Sequence, residues 1–248
     1  MCSTLYAKDI SFSLTTDKEK ISWDNFSFEV QQGESVSLIG SSGIGKTTLL
    51  RVLSGLHKFD SGNLYIDTEE NKVKQPDSSV YTVFQDYNLT LLPWLTVKDN
   101  INLGLYKLSN GVENASKLNE ILSMLFPDTT DHNSILQRYP DELSGGQKQR
   151  VQIARALISD SDFIFFDEPD TGIDYKNKLA LRCTFKKLVT EKSKGIILIT
   201  HDLENAFEVS NRYYIIHKNA NSKIGLIELK KTDYCTLEKF QKKVLEYI

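Results

Sequence analysis

The chain contains no apolar run approaching the roughly 18 residues that a membrane-spanning helix requires. Its N-terminus, polar after Leu5 and carrying Asp9, lacks the apolar core of a signal peptide. Any association with a membrane is therefore expected to come through a partner. Cysteine is scarce: Cys2, Cys183 and Cys235 stand apart, with neither metal-ligand spacing nor the even-numbered framework of small secreted domains, which points to a reducing, cytoplasmic setting. Neither sign of charge dominates, since 30 Lys and Arg are scattered among 33 Asp and Glu for a net charge of −3. Without a concentrated basic face, no nucleic-acid partner is expected. Internal repeats and low-complexity segments are absent as well.

The 248 residues, 40% of them hydrophobic, suit one large soluble domain, or one domain with a substantial insertion, able to bury its own core. Residues 5–39 alternate in short stretches such as Phe26-Ser27-Phe28-Glu29-Val30, followed by the turn Gln31-Gln32-Gly33-Glu34, and read as antiparallel strands. Residues 35–39 form a buried strand. Apolar runs at 80–84, 163–166 and 196–199, each followed by polar residues, suit a parallel sheet covered on both faces, hence an α/β core. Between Gln85 and Ser144 the period changes to that of helices. Thr96 caps one helix, with Asp99 three residues on and Val97, Ile101, Leu105 and Leu108 along one face; a second carries Leu118, Ile121, Leu122 and Leu125. We read residues 87–155 as a helical subdomain inserted in the core. The tail, residues 232–248, ends in a helix with Leu237, Phe240, Val244 and Ile248 on one stripe and leaves no room for an added regulatory domain.

Gly40-Ser41-Ser42-Gly43-Ile44-Gly45-Lys46-Thr47 matches the phosphate-loop pattern, follows a predicted strand and opens a helical pattern over 48–56. Glycines at 40, 43 and 45 let backbone N–H groups turn toward phosphate oxygens, and the helix N-terminus favours the anion. Lys46 would reach the β- and γ-phosphates, Thr47 would coordinate magnesium, and Thr48 would bond a phosphate nearer the base. A plain glycine-rich turn with an exposed lysine would not need this strand-loop-helix setting.

Residues 163–168, Phe-Ile-Phe-Phe-Asp-Glu, put two carboxylates at the exit of a core strand, where α/β sheets bind ligands. Asp167 would hold magnesium through water, and Glu168 would polarise the water that attacks the γ-phosphate. Acids commonly cap buried strands, so it is the phosphate loop upstream that favours the chemical reading. Residues 170–174 follow as a polar loop.

Ser144, with Gln147 three residues on, forms a capping box ahead of a helix carrying Val151, Ala154, Leu157 and Ile158. A well-capped helix explains Ser144 and Gln147 but not Gly145 and Gly146, which weaken its first turn and bare N–H groups suited to an anion.

Taken in order, Gly40 to Thr47, Leu143-Ser144-Gly145-Gly146-Gln147 and Asp167-Glu168 resemble the ATP-binding-cassette family over nearly the whole chain. The resemblance implies a P-loop NTPase α/β core with a parallel sheet, an N-terminal antiparallel β subdomain and the inserted helical subdomain, binding ATP and Mg2+. It implies that Ser144, Gly145, Gly146 and Gln147 of one copy face the γ-phosphate held by the phosphate loop of another, so that two copies close around two ATP. It also gives roles to residues that are unremarkable alone: Gln85 would contact magnesium and the attacking water, His201 the γ-phosphate, and Asp174 would communicate across the dimer. By themselves a Gln at a strand end is usually a surface residue and a His after a buried strand usually structural.

Phe84-Gln85-Asp86, Leu91-Leu92-Pro93-Trp94-Leu95-Thr96-Val97 and Asn100-Ile101 further resemble the importer branch serving nitrate, sulfonate, taurine and related compounds; similar cassettes also suit thiamine-precursor pyrimidines. This implies an ATP-hydrolysing subunit on the cytoplasmic face of the membrane, bound to integral permease subunits and working indirectly with an extracytoplasmic solute-binding protein. Pro93 and Trp94 are then a docking surface for a permease helix, against the alternative of ordinary packing. A soluble cassette protein acting in assembly or regulation is the rival reading. An unrelated phosphate-loop nucleotidase or kinase leaves residues 143–147 unexplained. Three departures from the family stand out: its adenine-stacking aromatic falls near Leu14, with Phe12 two residues away; Ile44 replaces a small residue; and Asp170-Thr171-Gly172 replaces small or apolar residues.

Overall fold

The structure is a computed structural model that describes residues 3–15, 20–67, 72–74, 79–85, 90–105, 113–127, 131–171, 174–218 and 224–248. Its strands are β1 (Thr4–Thr15), β2 (Lys20–Gln31), β3 (Ser35–Ile39), β4 (Ser61–Asp67), β5 (Lys72–Lys74), β6 (Val80–Val83), β7 (Phe163–Asp167), β8 (Gly195–Ile199), β9 (Arg212–Lys218) and β10 (Ile224–Lys230). They form one sheet in the order β5-β4-β1-β2-β10-β9-β3-β8-β7-β6. The stretch from β9 through β3, β8 and β7 to β6 is parallel, and β5, β4, β1 and β2 are antiparallel. The antiparallel strands are thus not a sheet of their own. β10, antiparallel to β9, lies parallel to β2 where Ile224 meets Trp23, and joins the two halves.

Alternation along the core strands explains why both faces are covered. On β7, Ile164 and Phe166 face one apolar cluster and Phe163 and Phe165 the other; on β8, Ile196 and Leu198 face the first, Ile197 and Ile199 the second. Each such side chain, taken from water to full burial, contributes about 1.5–3 kcal/mol. The run at 80–84 fares differently, because β6 is the edge strand and only Val83 of it is buried.

Helix α1 (Lys46–Leu53) covers the second face with Leu49, Leu50, Val52 and Leu53. It begins two residues earlier and ends three earlier than the expected 48–56, for Ser54 caps it and Leu56 is exposed. The first face is covered by α2 (Val97–Asn102), α3 (Glu113–Leu125), α4 (His132–Leu136) and α5 (Gly145–Ile158), together with α6 (Tyr175–Thr190). Thr96 caps α2 by accepting from the Asp99 N–H. That helix gives way to a 3-10 turn over Leu103–Leu105, and Leu108 lies outside the described residues. Leu118, Ile121, Leu122 and Leu125 are buried on α3 as their spacing requires.

After β8 come α7 (Leu203–Val209) and, at the C-terminal end, a 3-10 turn at Lys231–Asp233 and α8 (Leu237–Leu245). Phe240 and Val244 pack fully against β9, whereas Ile248 lies past the helix end and is 47% exposed, so the stripe stops short of the expected 248.

Candidate functional site

The phosphate loop leaves β3 at Gly40 and wraps onto α1. Gly43 and Gly45 have φ of 78° and 101°, in the left-handed region where a side chain would be strained. Gly40 is buried, Ser41 and Ser42 are exposed, and Ile44 packs against the second core cluster, which gives that departure a structural place. Lys46 is 7% exposed, and its Nζ donates to the carbonyls of Gly40 at 3.0 Å and Ser41 at 3.1 Å. Burial lowers its pKa; Glu168 and Asp167 oppose the change. Asp167 is 3% exposed at the end of β7 and accepts a hydrogen bond from Thr47. Burial pushes its carboxyl up, with the Thr47 hydroxyl acting against that and the Glu168 charge adding to it.

Glu168, the next residue, has φ 45°, a left-handed conformation that costs a non-glycine residue on the order of 1–3 kcal/mol. The conformation is held by its N–H bonding the Ile199 carbonyl at 2.9 Å. It turns the side chain into a meeting point. Oε1 stands 3.8 Å from Lys46 Nζ, while Oε2 accepts from Gln85 Nε2 at 3.4 Å and Thr171 Oγ1 at 3.2 Å and lies 3.4 Å from His201 Nδ1. Three strand exits, after β6, β7 and β8, thus deliver Gln85, Glu168 and His201 beside the loop after β3. His201 is 64% exposed and Gln85 is exposed, so both can meet a bound group. Thr171, noted in the sequence only as part of a departure from the family, gave no signal there of a contact with Glu168 beyond its closeness in the chain.

Ser144 caps α5 as expected: its Oγ accepts from Gln147 N–H at 3.3 Å, and Gln147 Oε1 accepts from Ser144 N–H at 3.0 Å. Gly145 and Gly146 occupy the first turn. Among the described residues, no hydrogen bond or ion pair joins Ser144, Gly145, Gly146 or Gln147 to residues 40–48, so within one chain these two elements form separate surfaces. Asp174 caps α6, accepting from Asn177 N–H at 3.0 Å and Asn177 Nδ2 at 2.6 Å, while Asn177 Oδ1 accepts from Arg150 of α5 at 2.8 Å. Those hydrogen bonds hold its pKa down.

In the polar loop after Glu168, Asp170 is buried at 2% exposure and bonded to Asn205. One expectation changes. Phe12, one of two candidates for stacking on adenine, is 1% exposed and packed on Trp23 and Phe26, turned into the core by the alternation of β1. The side chain of Leu14 lies outside the described residues.

The segment that begins at Thr90 is tied to the same frame. Arg155 of α5 donates to the Thr90 carbonyl at 2.8 Å, and Gln152 bonds the Thr90 hydroxyl. Asn100, fully buried, accepts from Leu92 N–H at 2.9 Å and donates to the carbonyls of Leu92 at 3.0 Å, Leu95 at 3.0 Å and Thr96 at 3.1 Å. Trp94, within the loop so held, is 69% exposed.

A phosphate loop at the end of a parallel strand, a hydroxyl-bonded Asp and a Glu beside the lysine define a P-loop nucleotide-binding α/β protein, which carries a capped, glycine-rich helix start at Ser144 as a further element. Comparison with known proteins agrees, for the family model of ABC transporters matches residues 23–171. The chain belongs to the ABC transporter family. A sulfate/thiosulfate import ATP-binding protein of Pseudomonas aeruginosa is 37% identical over 210 residues, 82% of this chain and 61% of that protein. A spermidine/putrescine import ATP-binding protein of Protochlamydia amoebophila is 35% identical, covering 84% of this chain and 54% of that protein. The chain thus spans little more than half the length of these relatives. Among solved structures, the dimeric ATP-binding cassette MJ0796, bound to ADP and Pi, has 28% identity and a TM-score of 0.72, covering 92% of this chain and 98% of that one.

Proposed function

We propose that the protein is the ATP-binding and ATP-hydrolysing subunit of a bacterial ABC importer, acting as a head-to-tail homodimer attached to integral membrane permease subunits. The observation that carries the catalytic part is the convergence of Lys46, Gln85, Thr171 and His201 on the one carboxylate of Glu168. Lys46 would hold the β- and γ-phosphates, helped by the N–H groups of residues 40–48. Glu168, off the metal and within reach of Gln85 and His201, would accept the proton of the attacking water. His201, beside Glu168, would bond the γ-phosphate.

Thr47 and Asp167, a hydroxyl and a carboxylate already in contact, supply the hard oxygen donors that suit Mg2+, and Gln85 lies close enough to Glu168 to join them. The ion, when bound, supplies neutralisation of charge on the phosphate oxygens. Among the described residues there is no cluster of three or more His, Cys, Asp or Glu, which fits a cation held largely by substrate oxygens.

Because, among the described residues, no hydrogen bond or ion pair joins Ser144, Gly145, Gly146 or Gln147 to the phosphate loop of their own chain, a second copy is the natural source of the missing half-site. The relative that forms a dimer with ADP and Pi supports this arrangement. A permease partner is supported by exposed Trp94 and Pro93 and by the import proteins among the relatives. None of the helices formed by the described residues is long and apolar enough to cross a membrane, in keeping with peripheral attachment at the cytoplasmic face. The relatives' names span an oxyanion and a polyamine. Our finer proposal, a solute of the nitrate, sulfonate or taurine type delivered by an extracytoplasmic binding protein, rests on the resemblance of residues 84–86, 91–97 and 100–101.

The test is a mild-detergent pull-down of the tagged protein from its native membranes with mass spectrometry of the co-purifying chains. Recovery of a multispan permease and an extracytoplasmic binding protein is expected, and the binding protein's ligand would name the solute. Soluble partners alone would refute the importer.

A further inference from the structure

The turn after Glu168 holds a carboxyl group that the proposed reaction leaves unused. Asp170 and Asn205 of α7 are each 2% exposed, and Asn205 Nδ2 donates to Asp170 Oδ2 at 3.0 Å. Their remaining polar atoms, Asp170 Oδ1 and Asn205 Oδ1, are buried without a hydrogen-bond partner among the described residues. With Asp170 ionised both are acceptors, and neither can satisfy the other. A single proton on Asp170 converts one of them into a donor and makes the carboxyl and the amide complementary along both edges.

The charges around the pair largely offset each other. Lys178 of α6 is ion-paired at 3.1 Å with Asp202, which caps α7, and Arg182 with Glu204 at 3.0 Å. Burial raises the pKa of Asp170; its own N–H and Lys178 oppose this and Asp202 reinforces it. Among the described residues, the two cations next to the pair, Lys178 and Arg182, are each already engaged by another carboxylate, so burial is only partly opposed.

We propose that Asp170 is held as a neutral carboxylic acid whose Oδ1 proton is donated to Asn205 Oδ1, and that this acid–amide pair is a positioning device locking the turn after Glu168 to the helix after His201. Asp170 lies two residues past Glu168, and Asn205 four past His201, so the pair clamps the exits of β7 and β8 at the level where Glu168 Oε2 and His201 Nδ1 are 3.4 Å apart. Loss of the proton at alkaline pH opens one edge of the pair and loosens that alignment. The positioning role rests on the proposed parts of Glu168 and His201; the protonation state does not.

Infrared difference spectroscopy of wild type against Asp170→Asn, on the full chain at neutral pH, reads the proton directly. We expect a protonated-acid carbonyl band in wild type that the variant lacks; a carboxylate band in its place overturns the proposal. The positioning role is read from ATPase pH profiles. Asp170→Asn, unable to ionise and still able to bond an amide, should lack the alkaline fall in kcat seen in wild type, while Asp170→Ala should lose roughly tenfold to a hundredfold in kcat with KM for ATP little changed. Identical alkaline limbs in wild type and Asp170→Asn overturn that role. A wild type without ATPase activity at any pH would refute the parts given to Glu168 and His201, and the positioning role with them, while the infrared band still decides the proton.

Discussion

Lys46 and Glu168 face each other at the mouth of the phosphate loop, Nζ 3.8 Å from Oε1, while the same ammonium bonds two loop carbonyls. With the roles proposed above, an incoming phosphate would compete for Lys46 with three oxygen partners and would release Glu168 to act on water. Nucleotide entry and activation of the base would then be coupled through one side chain. Lys46→Ala removes a charge-assisted contact of about 1.5–3 kcal/mol, so titration calorimetry with a non-hydrolysable ATP analogue should show Kd weaker by roughly 10- to 100-fold. A value within about twofold of wild type would contradict the coupling.

Glu168→Gln keeps the contacts to Lys46 and Thr171 in outline but cannot accept a proton. Hydrolysis should slow by on the order of 10²–10⁴-fold, and light scattering should find an ATP-dependent dimer that persists. A variant that stays monomeric in ATP would count against the two-copy site.

Gly146 separates folding from binding. A Cβ there would lie 3.4 Å from Asn177 Nδ2, an ordinary contact, and alanine is favoured over glycine in helices by up to about 1 kcal/mol. Gly146→Ala should therefore keep or slightly raise Tm in a calorimetric scan. Its ATPase activity should nonetheless fall by roughly tenfold or more, because the added methyl covers N–H groups meant for the partner's nucleotide. Equal loss of Tm and activity would assign Gly146 to the fold instead.

Asn100→Ala leaves the Leu92 N–H and the Leu95 carbonyl without their buried partner, while the Leu92 and Thr96 carbonyls keep the backbone N–H groups of Leu95 and Asn100. Unfolding experiments in urea should register a loss of about 2–3 kcal/mol. Co-purification with a permease should drop further than this loss explains, while basal ATPase should change much less. Unaltered stability would mean that the loop re-bonds to water.

The local geometry of the candidate site was legible because it is written locally. Residues 40–47, Asp167-Glu168, the Ser144–Gln147 box and the Thr96 cap each depend on neighbours within a few positions, and the structure shows the hydrogen bonds that such spacings call for. The contacts that remained hidden join distant stretches. Asp170 meets Asn205 across 35 positions, and β10 joins β2 at Ile224 and Trp23, some two hundred residues apart. Alternation told which residues of a strand share a face, but not which strand lies alongside, nor that β6 would be left at the edge. For the same reason Phe12 looked available to a base. Its inward direction is fixed by pairing with Trp23 rather than by its own segment.

Trp94 is exposed, yet the loop bearing it is fastened from beneath by Asn100 and, next to it, by the α5 contacts to Thr90. An aromatic anchor on a pinned backbone has surrendered most of its conformational freedom during folding, so a partner that receives it forfeits little further entropy on association. Rigidity also works in the other direction. Since Thr90 hangs from the helix that begins at Ser144, a rotation of that helix in the proposed closure of two copies would move the indole as well, and the loop would transmit displacement instead of absorbing it.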